Sequence, residues 1–138
     1  MIAARLLEVY AWLAVSVSVH EAGHALAAYM CKVPILEFRI GEELFAIKIG
    51  KYSISPLVFG GHVIVAESGL KNGKKAAMYF LAGSFANLLI ITLILIFNRY
   101  TLKNTVIGIN GILIFLSLFP AFTHNDFSEM RRIFDGSV

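Results

Sequence analysis

Cysteine is almost absent from this 138-residue chain, which holds one, Cys31. A single thiol excludes an intramolecular disulfide and any Cys-rich metal site, so Cys31 reads as a small apolar residue near a helix end. Charge is scarce as well: 15% of residues are charged against 58% hydrophobic, and the mean hydropathy is +0.76. That balance excludes an ordinary soluble domain and leaves a single integral membrane domain over residues 1–138, with the lipid bilayer as its first partner. Internal repeats, low-complexity linkers and nucleic-acid signatures are lacking too, so no nucleic-acid partner is expected. The net charge of +3 is modest.

What is present is three apolar runs. They predict a mainly α membrane protein with transmembrane helices at about 6–30, 76–97 and 106–122, the last at the short end of what spans ~30 Å of hydrocarbon. The first run is too long for a signal peptide and is expected to stay in the mature protein. Between the first two spans, residues 35–67 change character. Alternation in Leu44–Ile49, Tyr52–Ser55 and His62–Val65, broken at Gly50-Lys51 and Gly60-Gly61, predicts a small β-sheet or hairpin. The alternative there is an irregular amphipathic loop on the membrane surface.

Lys and Arg are unevenly distributed over this topology. Nine lie in the first loop and the C-terminal tail, and three, Arg5, Arg99 and Lys103, lie on the other side. Positive charge favours the cytoplasm, so the N-terminus is expected outside and the C-terminus inside, with a prokaryotic plasma membrane the natural location. Asp126 then falls on the same side of the bilayer as the C-terminal half of the first span.

That half carries His20-Glu21-Ala22-Gly23-His24. Positions i and i+4 share one helix face, so both imidazoles can reach one tetrahedral metal, while Glu21 stands beside them as a base rather than a ligand. Read instead as packed, hydrogen-bonded helix residues, they leave unexplained a burial cost of roughly several kcal/mol in hydrocarbon. A catalytic zinc needs a third protein ligand. Asp126 leads because a carboxylate partly neutralises the dication; His124 is its rival and Asn125 a weaker one.

With these residues in hand, the chain resembles the site-2 protease family of intramembrane zinc metalloproteases over about residues 6 to 130. Besides the His-Glu-x-x-His motif, Pro56-Leu57-Val58-Phe59-Gly60-Gly61-His62-Val63 is similar to the family's Pro-Leu-Gly-Gly-Tyr-Val segment. Ala82-Gly83-Ser84-Phe85-Ala86-Asn87 is similar to its Ala-Gly-Pro-x-Ala-Asn motif, and Leu118-Phe119-Pro120 through Asp126 to its Asn-x-x-Pro stretch ending in Asp-Gly. In this order after the metal motif the matches are specific. The departures are Ser117 for Asn, Ser84 for Pro, His62 for Tyr, and Phe127 after Asp126 where Gly is usual.

The resemblance implies a minimal three-helix metalloprotease core hydrolysing peptide bonds within or at the edge of the membrane. One Zn2+ per chain would be held by His20, His24 and Asp126, with Glu21 as proton acceptor and donor. It also implies that Asn87 binds substrate backbone or stabilises the oxyanion. The Gly60-Gly61 region would accept an unwound substrate by strand addition. Expected substrates are membrane-anchored regulatory proteins, signal-peptide remnants or peptide precursors, with a further copy or an accessory membrane partner possible. A catalytically silent zinc-binding adaptor is the alternative. A metal transporter fits less well, because the ionisable groups gather at one depth.

Overall fold

The computed structural model describes residues 2–97 and 103–118. Helix α1 runs Ile2–Met30, α2 Gly73–Phe97 and α3 Lys103–Leu118. At 29 residues α1 is about 43 Å long, and at 25 residues α2 is about 37 Å, both sufficient to cross a bilayer. The 16 described residues of α3 reach about 24 Å, shorter than a full span. Residues 119–122, expected to complete the third span, lie outside the described residues. Helix α1 begins four residues before the expected boundary, since Arg5 ends an apolar run without ending a helix.

Local chemistry fixes the helix ends. Helix α1 stops where Lys32 turns left-handed (φ +56°) and the Val33 amide bonds back to the Ala28 carbonyl at 2.9 Å, a Schellman closure. The Lys75 ammonium then bonds the Cys31 carbonyl at 2.9 Å, putting positive charge at the negative end of α1. Helix α2 starts three residues earlier than expected, because the Asn72 side chain accepts from the Lys74 amide at 2.9 Å and caps it.

Between α1 and α2 lies a four-stranded mixed sheet: β1 Ile35–Ile40, β2 Ile47–Ile49, β3 Tyr52–Ile54 and β4 Gly61–Val65, in the order β2-β3-β1-β4. The expectation of a small sheet is met. Strands β2 and β3 form a hairpin whose two-residue turn uses Gly50 at φ +60°. The parallel pairing of β1 with β3 is a connection that local alternation does not encode. Residues Leu44–Ala46, expected as strand, form a turn in which Phe45 has φ +64°.

Strands β1 and β4 pack against α1, and β3 and β2 follow outward. A buried apolar cluster of Ala28, Val33, Val63, Val65, Leu70, Ala76, Tyr79 and Phe80 joins the end of α1, the start of α2 and the sheet. At the other end of the sheet, the Tyr10 hydroxyl donates to the Pro56 carbonyl and accepts from the Val58 amide at 2.8 Å, while its ring meets Phe59 edge-on. Tyr10 is 20 residues above Met30, about 30 Å along α1. The sheet and its loop therefore run alongside most of the first span.

Small and polar residues bring the helices together. A Cβ on Gly23 would stand 2.6 Å from the Ala82 carbonyl oxygen, so α1 and α2 touch backbone to backbone. Asn110 of α3 donates to the Ser16 hydroxyl at 3.0 Å, and the hydroxyls of Ser84 and Ser117 bond at 2.7 Å. Between membrane helices a bond of this kind contributes on the order of 0.6 kcal/mol.

Candidate metal centre

The 3.6-residue period of α1 stacks His20 and His24 on one face, and α2 crosses that face antiparallel with Tyr79, Gly83 and Asn87 at four-residue intervals. The pairing is ordered. His24 Nδ1 lies 2.8 Å from the Tyr79 carbonyl, and the Asn87 amide lies 3.2 Å from His20 Nδ1. Gly83 falls between them. Because a carbonyl only accepts, His24 Nδ1 carries the proton and its lone pair sits on Nε2.

The two Nε2 atoms are 3.3 Å apart. Two nitrogens bound at about 2.0–2.1 Å to one tetrahedral zinc are separated by about 3.3 Å, so the imidazoles already hold the spacing a shared ion requires. Gly83 supplies the room. A Cβ there would stand 2.5 Å from His24 Nε2 and 2.6 Å from His20 Nε2, so the missing side chain leaves a cradle equidistant from both nitrogens. The two imidazole donors and the cradle suit zinc, which needs one further protein ligand.

Glu21 points out of this line, toward β4. It is buried, and a Cβ on Gly61 would lie 2.7 Å from Glu21 Cγ and 2.7 Å from the Arg39 carbonyl oxygen. Gly61 thus lets strand β4 lie directly on the Glu21 side chain. Gly60 precedes it, and its carbonyl accepts from the Gly41 amide at 2.8 Å. That bond sets the alternation of the β1–β4 ladder: His62 and Ile64 bond to β1, while Gly61 and Val63 direct their amides and carbonyls to the outer edge. At Val63 the outer carbonyl accepts from the Tyr79 hydroxyl. Tyr79 therefore touches both His24 and β4.

Beside this edge, Arg39 bonds Glu37 at 2.9 Å, and His62 Nε2 stands 3.3 Å from the same carboxylate oxygen, off the line of a good hydrogen bond. The Arg39 guanidinium holds the Glu37 carboxyl below the usual range, partly opposed by desolvation and helped by His62.

The structure brings together His20, His24, Glu21, Asn87 and Gly61, with Gly60 one residue away. Among the described residues, no group of three His, Cys, Asp or Glu side chains converges as a complete metal site. Asp126, His124 and Asn125 lie outside the described residues. Sequence reasoning missed Tyr79 and Tyr10. For Tyr79, the four-residue spacing through Gly83 to Asn87 was the available signal; for Tyr10 there was none.

Paired imidazoles facing one cradle, with a carboxylate at the next position of a membrane-length helix, are the features of a hydrolytic metal site in a membrane protein. Residues 9–134 match peptidase family M50, the site-2 protease family, and the chain belongs to that family. Membership implies an intramembrane metallopeptidase and points to zinc as its usual metal. No curated individual protein matches the chain.

Proposed function

We propose that this chain is a zinc endopeptidase that cleaves membrane-anchored substrates, acting as one catalytic core over residues 1–138. The observation that carries this is the pair of Nε2 atoms 3.3 Å apart over the Gly83 cradle, with Glu21 alongside. His20 and His24 would hold one Zn2+ per chain with Asp126 as third ligand. In favour of Asp126, the Ser84–Ser117 bond brings the end of α3, which precedes Asp126 in sequence, beside Gly83 on α2. Bound there, zinc supplies Lewis acidity that polarises the scissile carbonyl and makes water nucleophilic near neutral pH.

The chain's own residues do the rest. Glu21 takes the proton of the attacking water as the carbon–oxygen bond forms. It then passes that proton to the amide nitrogen as the carbon–nitrogen bond breaks, leaving a carboxyl and an amine terminus. Gly60, with open space where a side chain would stand, and Gly61, packed on Glu21, lead into β4, whose outer edge an unwound substrate could pair with. Membrane-anchored regulatory proteins, signal-peptide remnants and peptide precursors share the required chemistry, an apolar segment that can unwind.

Zinc per protein, measured in detergent-purified wild type and in Asp126→Ala and His124→Ala, tests the metal site without a known substrate. One zinc in wild type, lost in Asp126→Ala alone, is expected. Loss in His124→Ala alone would move the third ligand, and no zinc in reconstituted wild type would refute the site. With a substrate in hand, Glu21→Gln should keep its zinc and lose about 10²–10⁴-fold in rate. Undiminished processing by Glu21→Gln would leave the adaptor reading instead.

A further inference from the structure

Asn87 is fully buried, with 0% of its surface exposed, and its Nδ2 lies 3.2 Å from His20 Nδ1. Its Oδ1 is also buried and has no hydrogen-bond partner among the described residues. A nitrogen facing His20 Nδ1 requires that nitrogen to accept, which puts the imidazole proton on Nε2, the atom turned toward His24 Nε2 and the cradle. That proton would take up the lone pair a shared ion needs, the two Nε2 atoms at 3.3 Å then being joined by a hydrogen bond. Rotating the amide by 180° exchanges O and N, which differ little in shape. Oδ1 then accepts from His20 Nδ1–H and the His20 lone pair moves to Nε2, while the amide nitrogen takes the position in which Oδ1 has no partner among the described residues.

We propose that Asn87 is a positioning residue that holds His20 in the Nδ1–H form through its Oδ1, as the Tyr79 carbonyl holds His24. Helix α2 thus fixes both metal-facing nitrogens from behind, one through backbone and one through a side chain four residues beyond Gly83. Complete burial and the bond to His20 argue against Asn87 reaching a substrate oxyanion. This inference rests on the zinc reading above.

Zinc affinity by chelator competition in Asn87→Leu and Asn87→Asp separates the possibilities. Asp keeps an acceptor but no donor; Leu keeps neither. The proposal expects about 10–100-fold weaker zinc in Asn87→Leu and wild-type or tighter zinc in Asn87→Asp. It also expects a protonated Nδ1 for His20 in the ¹⁵N imidazole spectrum of the zinc-loaded wild type. Zinc weakened in Asn87→Asp would mean that the amide donates, and overturns the proposal. Wild-type affinity in Asn87→Leu with a fall in kcat would assign Asn87 to the substrate, and overturns it too. If Asn87→Leu fails to fold, Asn87→Asp and the wild-type spectrum still decide. Absence of zinc from wild type is the separate result that removes the underlying reading.

Discussion

A methyl group at position 83 would occupy the space between two imidazole nitrogens, 2.5 and 2.6 Å away. Gly83→Ala is therefore expected to abolish stoichiometric zinc binding, and overpacking should lower stability by about 1–3 kcal/mol. Metal analysis and thermal unfolding in detergent check both; full zinc occupancy would show that the ion does not use this cradle. Gly61→Ala acts on the neighbouring group, pressing on Glu21 Cγ from 2.7 Å. Zinc should be retained while cleavage falls about 100-fold, since displacing a reacting group by ~1 Å costs that much. The histidines and Glu21 were legible in the sequence because their spacing is local to one helix. Their backing by Tyr79 and Asn87 depends on how α2 crosses α1, a non-local fact that a single run of residues does not carry.

At the scale of elements, the two long helices were legible because an unbroken apolar run leaves few alternatives, whereas boundaries moved with capping at Asn72. The short strands showed their alternation but not their partners. Nothing between Ile35 and Val65 announces that β1 lies parallel to β3. The sheet also carries its own pH dependence. Glu37 titrates below its ordinary range because Arg39 bonds the carboxylate, so its contribution is present above the unfolded carboxyl pKa and is lost as pH falls through the lower, folded value. Acid should loosen the sheet, and Glu37→Gln should flatten that dependence in hydrogen exchange at Phe38 and Arg39; an unchanged acid limb would exclude this pair as its source. Val63→Pro tests strand addition at the same scale. The Val63 amide faces away from β1, so proline removes a donor from the outer edge without breaking the β1–β4 ladder. Cleavage should fall with zinc content intact, and unchanged turnover would count against an extended substrate on β4.

For the whole molecule, the distribution of charge predicts an orientation that labelling can test. Lys71, Lys74 and Lys75 cluster where α2 begins, and the Lys75 ammonium bonds the carbonyl at the end of α1. With nine basic residues on that side of the expected three-span topology against three on the other, the positive-inside rule predicts that the sheet's connections and the His20–His24 end of α1 face the cytoplasm. Because Cys31 is buried and alone, a Cys31→Ala background is a clean host for labelling. In intact bacterial cells, a membrane-impermeant maleimide should modify Ala4→Cys, near the start of α1, and should reach Ser68→Cys only after lysis; both positions are exposed. The reverse pattern would place the site end of α1 outside. Substrates would then have to present their cleavable segment from the opposite side of the membrane, even though the paired imidazoles and the Gly83 cradle were unchanged.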